Sequence, residues 1–396
     1  MVAATYIPFI TLLAAHLLGD FYAAFYGPLV PVLRDQLHIS VVAALTLATL
    51  YGVTSNFLQP VFGMVGERYG RRRLLALGIA GASVGMAGLG FGSNVALIAV
   101  MLVVGGIGVG MFHPCGAALA GQVGGARKSA AIAMYMVGGN LGVMLSPLVV
   151  PVLAQYDLRY VAFLGVPGLI FSLWLWRRPL TEERPHVPAA GFRIAETWDT
   201  FRRVWPVFVD VILRFMPVTL FATLLPLYDK LRGMDNVEAG RPLAAFMLAG
   251  GVGVLAGGWL AGRVAHLPLV VLSETCGGIC FFLAPMCWGA SYYLLLCVGA
   301  FFAYSLMSVQ IAAAQRLAPR TEGAASGIVM GLAYGIGSLA LIPMGWLSDY
   351  WTASLGVEVW AVTLVLQAGA LSLFVAAGLA LCIRIPEHGG AEVGKP

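Results

Sequence analysis

The sequence predicts an all-α polytopic membrane protein with twelve transmembrane helices. Of its 396 residues, 60% are hydrophobic and only 10% are charged, and the mean hydropathy is +0.89. A soluble domain carries about 25% charged residues, so this chain has too few to cover a water-facing surface. Apolar runs near or above the roughly 20 residues needed to cross a bilayer recur along the whole chain. A membrane β-barrel would show alternating strands of about ten residues instead.

The predicted helices follow the apolar runs, which end at short charged or Gly/Pro breaks. They cover residues 5–33, 41–66, 73–92, 95–121, 128–154, 159–177, 204–228, 242–262, 267–288, 291–315, 323–347 and 357–384. The first run lacks a basic segment before it and is too long for a cleavable signal peptide, so none is expected.

Lysine and arginine predict the orientation. Most of the 23 Lys and Arg residues fall in breaks on the side of the N-terminus. The exceptions are Arg34, Arg159, Lys230, Arg232 and Arg241 in the other breaks, and Arg214 within a helix. The positive-inside rule therefore places both termini in the cytoplasm. The net charge of +5 then reflects topology, and no nucleic-acid partner is expected.

An internal repeat predicts two halves. At an offset of 195 residues, LVPVLRDQL at 29–37 aligns with LLPLYDKLR at 224–232, GMVGER at 63–68 with GWLAGR at 258–263, and GGNLG at 138–142 with AYGIG at 333–337. Repeats of this kind are typical of transporters. We therefore predict two pseudo-symmetric six-helix bundles, residues 1–178 and 204–396. The polar segment 179–203 is the predicted cytoplasmic linker, and a short cytoplasmic tail ends the second bundle.

The loop GMVGERYGRRR at 63–73 resembles the signature Gly-x-x-x-Asp-Arg-x-Gly-Arg-Arg/Lys of the major facilitator superfamily, with Glu67 in place of the usual Asp. The resemblance implies that superfamily's fold and a cytoplasmic gate. The gate residues it implies are Gly63, Glu67, Arg68, Gly70, Arg71 and Arg72. The second copy has Gly262 in place of the acid, so that copy of the latch is degenerate. A basic loop that serves only topology is the alternative.

Within that superfamily, four stretches are similar to the fosmidomycin-resistance family of drug/proton antiporters. They are AAHLLGDFYAAFYGPLVPVL at 14–33, LQPVFGMVGERYG at 58–70, GMFHPCGAALAG at 110–121 and MVGGNLGVMLSPLVV at 136–150. The match covers roughly residues 10–150 and is vague in the second half. The family pattern Phe-His-Pro-Glu becomes Phe112, His113, Pro114 and Cys115, so the family's acid is missing here. That replacement moves the predicted proton carrier to Asp20.

Ionisable residues inside a membrane are costly, so each one is a functional hypothesis. His16 and Asp20 are four residues apart on helix 1 and share a face, as do Asp210 and Arg214 on helix 7. The repeat offset places both pairs at equivalent depths, so we expect them to face each other across the interface between the halves. His16, Asp20 and Asp210 are the candidate proton-coupling residues.

The resemblance implies a central cavity lined by helices 1, 4, 7 and 10. The substrate-binding candidates are Arg214, His113, Tyr22, Tyr26, Asn140, Tyr304 and Gln310. Structural readings stay open: Asp210–Arg214 as a simple ion pair, His16–Asp20 as a static hydrogen bond, and His113 as a donor to a carbonyl freed by Pro114. Glu274 is expected at the periphery of helix 9.

Soluble-enzyme and metal chemistry are not expected. GGIGVG at 105–110 lies within a helix without a preceding strand, and neither HExxH nor CxxC occurs. His113 and Cys115 are two residues apart and point to different helix faces, so they cannot form a nucleophile–base pair. The six cysteines are predicted to be buried thiols. No enzyme activity, metal or cofactor is predicted.

The predicted function is secondary transport by alternating access, as proton-coupled efflux of a small organic, phosphonate-like or drug-like molecule. The alternatives are an uptake symporter or a uniporter for a small organic anion, and a non-transporting receptor or scaffold. The expected partners are substrate, protons and membrane lipid. We expect a monomer in the bacterial inner membrane.

Overall fold

The computed structural model describes residues 2–125, 128–178, 180, 194–261 and 263–383, with side chains from residue 7 onward except 128–130 and 194–196. Within this part of the chain, eleven helices are long and apolar enough to cross a membrane, and one bent pair adds a twelfth span. Spans 1 to 12 are Ile7–Leu37, Val41–Phe57 with Gln59–Tyr69, Arg71–Phe91, Val95–Gly124, Ala131–Ala154, Leu158–Arg177, Thr197–Leu231, Gly240–Leu260, His266–Met286, Gly289–Leu317, Glu322–Leu355 and Glu358–Ala380. The predicted all-α polytopic fold is confirmed.

Several spans are built from more than one helix. The α-helices are Val2–Ala23, Tyr26–Leu37, Val41–Phe57, Gln59–Tyr69, Arg71–Gly88, Val95–Gly124, Lys128–Ala154, Gly165–Arg177, Ile194–Leu231, Gly240–Leu260, His266–Leu283, Gly289–Leu317, Glu322–Gly327, Ala333–Leu339, Leu341–Leu355 and Glu358–Ala380. Short 3₁₀ turns lie at Leu89–Phe91, Leu158–Leu164 and Ala284–Met286, and a π turn at Ile328–Leu332. Span 2 bends by 41° where Pro60 opens its second helix, because proline lacks the N–H that would continue the first.

Span 7 differs from the prediction. Its helix begins at Ile194 rather than at residue 204, so the last part of the predicted linker is helical; residues 179 and 181–193 of that linker lie outside the described residues. The early turns are held by an ion pair between Asp199 and Arg203 at 3.0 Å, four residues apart, and by stacking of Trp198 on Phe201. Polar composition indicated a loop, whereas these residues form an exposed helical end.

Glycines allow spans 3 and 4 to cross at backbone contact. A Cβ on Gly85 would overlap the backbone of Gly105, and a Cβ on Gly78 would lie 2.6 Å from the amide nitrogen of Phe112. Close approach through small residues is the usual device for packing helices in a bilayer. The run GGIGVG therefore serves packing, as the sequence predicts.

We expect Gly85→Ala to lower the thermal stability of the purified protein. The added methyl group meets backbone that cannot rotate away, and overpacking of this kind costs about 1–3 kcal/mol. Gly378→Ala is the matched control, since a Cβ there meets nothing within 4 Å and alanine favours the helix. Thermal unfolding in detergent measures both; equal melting temperatures for the two variants would contradict this packing.

The first six and last six spans meet at the distal face, defined by the connections 38–40, 92–94, 155–157, 232–239, 287–288 and 356–357; the other span ends form the proximal face. Arg34 pairs with Glu358 at 2.7 Å, and Asp35 pairs with Lys230. Asp349 accepts hydrogen bonds from the backbone N–H groups of Val41 at 3.1 Å and Val42 at 3.3 Å. Span 11 thus caps the first turn of span 2 and holds the distal face closed.

Two contacts between the first six and the last six spans join residues at equivalent positions of the predicted repeat. Asp35 and Lys230 are 195 residues apart, and Gly27, which packs against the carbonyl of Ala222, has the same offset. Equivalent residues meet when two copies face each other across an axis along the membrane normal. The division into residues 1–178 and 204–396 itself stays a prediction.

Asp349→Ala is expected to weaken closure of the distal face, because it removes both hydrogen bonds that Asp349 accepts from the first turn of span 2. Distances between spin labels at Gln36 and Ser354, in a variant without native cysteines, report the separation; a longer population should grow. Asp157→Ala is the matched control, since Asp157 accepts a hydrogen bond from the backbone N–H of Arg159, two residues away, and caps the start of its own span. A distance distribution unchanged by Asp349→Ala would show that the cap does not hold this face.

Candidate functional site

Two histidines from different spans converge on one carboxyl group. His16 Nε2 lies 3.1 Å from Asp20 Oδ2, and His113 Nε2 lies 3.2 Å from Asp20 Oδ1. Spans 1 and 4 supply them, and the i,i+4 spacing of His16 and Asp20 places both on one helix face. The Asp20 and His113 side chains keep 14% and 32% of their accessible surface, whereas His16 is buried. The group is therefore partly accessible, and we call these three residues the Asp20 cluster.

Backbone carbonyls fix the tautomer of both imidazoles. His16 Nδ1 lies 2.7 Å from the carbonyl oxygen of Tyr135, and His113 Nδ1 lies 3.2 Å from that of Val109. A carbonyl only accepts hydrogen bonds, so each Nδ1 carries a proton and donates. Each Nε2 then lies at ion-pair distance from an Asp20 oxygen, and it carries the charge that attracts an ionised carboxylate only as an imidazolium. His113 thus both bonds to its own helix, through Val109, and contacts Asp20.

Span 5 shapes the other side of the Asp20 cluster. The ring of Tyr135 stacks on His16 with centroids 3.9 Å apart, and Phe112 packs edge-on at 6.1 Å. A Cβ on Gly139 would lie 2.6 Å from His16 Nε2, so only glycine leaves room for the cluster. Sequence reasoning used the surrounding GNLG run in the repeat and in the family resemblance, and it gave Gly139 itself no role. Its position opposite Asp20 emerges only from the tertiary structure.

The Asp20 cluster also has the composition of a cation site. One ligand atom from each of His16, Asp20 and His113 lies within 4.8 Å of the others. Two neutral Nε2 atoms and a carboxylate suit a divalent transition metal as well as protons. The sequence predicts no metal here, and that expectation is untested.

A second buried polar group lies in spans 7, 9, 10 and 11. Gln310 donates from Nε2 to Asp210 and accepts at Oε1 from Arg214 Nε at 2.7 Å. Arg214 also donates to the Ala303 carbonyl at 3.0 Å and contacts the Tyr334 hydroxyl at 3.5 Å. The side-chain amide of Gln310 therefore links Asp210 to Arg214, in place of the simple ion pair considered from sequence. Each is only 2% exposed.

Glu274 belongs to this second group, and its predicted peripheral position is wrong. Glu274 is 0% exposed, and its carboxyl group lies within hydrogen-bonding reach of Asp210. Both of its oxygens are buried without a hydrogen-bond partner among the described residues. Hydropathy cannot separate a lipid-facing from a core-facing position on a helix that is apolar all round, which explains the error.

The expectation that His16–Asp20 and Asp210–Arg214 face each other across the interface between the halves stays a prediction. Within the described part of the chain, the two groups share no hydrogen bond or ion pair, and each bonds inside its own set of six spans. Arg214 is engaged by spans 10 and 11 and is not available to a ligand in this conformation.

The remaining substrate candidates divide into packed and partly accessible residues. Tyr22 donates to the Leu164 carbonyl at 2.8 Å and Tyr26 to the Ala44 carbonyl at 2.7 Å, and both are buried. Here these tyrosines join spans and do not line an accessible surface. Asn140 is half-buried against Gly251, where the two sets of spans meet. Tyr304 is half-buried too, with its hydroxyl 3.7 Å from Met247 Sδ.

The predicted gate loop forms a turn at the proximal face. Gly70 has φ 101°, a conformation that favours glycine. Glu67 pairs with Arg71 at 3.0 Å, and Arg72 donates to the Leu175 carbonyl at 2.8 Å. Arg68 lies 5.4 Å from the ring of Tyr69, and Gly63 packs against Pro114. Cys115 points away from His113, toward the Phe62 carbonyl in span 2.

Sequence reasoning missed a further buried acid near the distal face. Asp229 is 0% exposed and accepts a hydrogen bond of 2.5 Å from the Tyr292 hydroxyl. Arg232 stacks over Trp288 at 3.4 Å from the ring centroid. Asp229 lies at the end of a span, where a charge is usually solvated, so its position in the sequence did not indicate that it is buried.

Known proteins share both the sequence pattern and this architecture. The model of the Major Facilitator Superfamily matches residues 12–342. The chain is 24% identical to the fosmidomycin resistance protein of Escherichia coli K12, over 91% of this chain and 90% of that protein. It is 23% identical to YfnC, an uncharacterized MFS-type transporter of Bacillus subtilis 168, over 84% of each. A bacterial homolog of the human lysosomal transporter Spinster, solved inward-facing and unoccupied, superimposes with a TM-score of 0.78 at 14% identity, covering 96% of each chain.

Proposed function

The chain belongs to the Major Facilitator Superfamily and is a secondary transporter of a small molecule, and we propose that it couples efflux of an organic substrate to proton entry. It is an integral membrane protein of a transporter family rather than a member of an enzyme family. The observation that carries the proposal is the Asp20 cluster, where two imidazoles with fixed tautomers share one carboxyl group.

Binding or release of a proton changes the net charge of the Asp20 cluster. With both imidazoles protonated and Asp20 ionised, the cluster carries +1; loss of one proton makes it neutral. Loss of that proton also removes one of the two ion pairs with Asp20, since a neutral imidazole carries no charge to attract the carboxylate. We assign the coupled proton to His16 and Asp20. The more accessible His113 would contact the substrate. Asp210 is the candidate for a proton site in the other half.

The proposed substrate class and the proposed direction of transport rest on the relatives of this chain. A fosmidomycin resistance protein is among them, which favours efflux of a phosphonate-like or drug-like molecule. The positive cluster suits an anionic group, whereas Arg214 is occupied. Asn140 and Tyr304 remain substrate-binding candidates for a conformation in which the spans have moved apart.

The bias of lysine and arginine supports the proposed orientation, in which the proximal face and both termini lie on the cytoplasmic side of a bacterial inner membrane. The closed distal face then corresponds to the outside. The loop with Gly63, Glu67, Arg68, Gly70, Arg71 and Arg72 is the proposed cytoplasmic gate, and it would lock when the distal face opens. The protein would work as a monomer, since the two sets of six spans contact each other within one chain.

Transport in proteoliposomes tests the proposal, with fosmidomycin as the probe. If efflux is coupled to protons, fosmidomycin should accumulate against its own concentration gradient when the imposed pH gradient drives antiport. It should not accumulate when that pH gradient is reversed. A symporter would respond to the reversed gradient, and counterflow insensitive to either gradient would indicate a uniporter. No flux of any tested anion or lipophilic drug would favour a receptor or scaffold and would overturn the proposal.

A further inference from the structure

The carboxyl groups of Asp210 and Glu274 present an unresolved hydrogen-bonding problem inside the second half of the protein. Asp210 Oδ1 and both oxygens of Glu274 are buried and have no hydrogen-bond partner among the described residues. The two carboxyl groups nevertheless lie within hydrogen-bonding reach of each other. Two carboxylates cannot bond to each other because neither has a donor, and buried orphaned acceptors cost free energy.

The charges around the pair lead to the same problem. The charged and polar groups that face it are Arg214 from span 7 and Gln310 from span 10, with Tyr334 of span 11 and Tyr304 of span 10 beyond the guanidinium. With both acids ionised, Arg214 leaves one negative charge uncompensated in a buried site. An uncompensated buried charge is expensive, and the usual remedy is to bind a proton.

We propose that Asp210 and Glu274 form a second proton-binding site that holds one proton between two carboxyl groups. The proton makes one acid a donor, which satisfies an orphaned oxygen on the other, and it brings the net charge of the group with Arg214 to zero. Like charges this close cannot both ionise, so the two acids titrate as a pair. Gln310 carries the change to Arg214, because it bonds to both.

This site deepens the proposed function. The Asp20 cluster and the Asp210–Glu274 pair lie in different sets of six spans, so each half would carry its own proton. Release from the pair leaves the group with a net negative charge and favours a new position for Arg214, which now joins spans 7, 10 and 11. The role in transport rests on the proposed proton coupling; the bound proton itself does not.

Infrared difference spectroscopy tests the bound proton directly. In wild-type protein we expect the C=O stretch of a protonated carboxylic acid that shifts in D₂O, and we expect Glu274→Gln and Asp210→Asn each to remove it. Glu322→Gln, an exposed acid of the same half, is the matched control and should keep the band. A band that persists in both pair variants, or that wild type lacks, overturns the proposal. If Glu274→Gln does not fold, Asp210→Asn alone decides.

The number of protons moved per fosmidomycin tests the role in transport. Reversal potentials in proteoliposomes give the ratio, which should fall by one in Glu274→Gln while gradient-driven transport persists. An unchanged ratio would remove the pair from the cycle and leave the Asp20 proposal standing. If wild-type transport ignores pH gradients altogether, the proposed coupling fails, and the infrared band still decides whether the pair binds a proton.

Discussion

Asp20→Asn is expected to abolish pH-gradient-driven transport. The amide keeps the shape of the side chain and removes the charge that both His16 Nε2 and His113 Nε2 face at 3.1 and 3.2 Å. Without the carboxylate, two neighbouring imidazoliums repel each other and lose their ion pairs with Asp20, so the cluster no longer holds its proton. Proteoliposomes with an imposed pH gradient measure the loss.

Counterflow separates lost coupling from lost binding. Exchange of labelled for unlabelled fosmidomycin needs no net proton movement, so it should persist in Asp20→Asn. Asp199→Asn is the control, because that acid is 63% exposed and pairs with Arg203 on its own helix. Undiminished gradient-driven transport in Asp20→Asn would sink the assignment. Loss of wild-type transport on treatment with a chelator would instead assign the Asp20 cluster to a metal ion.

Arg214→Gln is expected to cause the largest loss of stability. Arg214 is 2% exposed and is the cation that offsets Asp210 and Glu274, so its removal leaves a buried negative charge. Breaking a buried charge pair by removing one partner costs about 3–5 kcal/mol. The variant also leaves Gln310 Oε1 without the Arg214 donor and removes the extra hydrogen bond to the Ala303 carbonyl. Thermal unfolding in detergent should show a large fall in melting temperature.

The double variant Asp210→Asn with Arg214→Gln provides the check on charge. It removes one charge of each sign and lets Glu274 stay protonated and neutral, so it should recover part of the loss. Arg203→Gln, at a 59% exposed position, is the matched control and should melt like wild type. Equal losses in the single and double variants would mean that packing around Arg214, rather than its charge, stabilises this group.

Hydropathy predicted the helices well, and polarity predicted the site unevenly. Asp20, His16 and His113 do form one group, and the spacing of His16 and Asp20 indicated part of it. The sequence did not predict that Glu274 joins Asp210, that Gln310 stands between Asp210 and Arg214, or that Asp349 caps span 2. Each of these contacts joins residues far apart in the chain, and only the rotation and tilt of packed helices bring them together.

What the chain determines alone is its class, its approximate spans and its short-range pairs. Desolvation of the backbone forces apolar runs of this length into membrane helices, and the helical period sets which neighbours share a face. Only the tertiary structure decided which way each face points. That choice put Arg214 and Glu274 inside one half and left His113 accessible, because small residues such as Gly85 and Gly139 let particular helices approach while others stay apart.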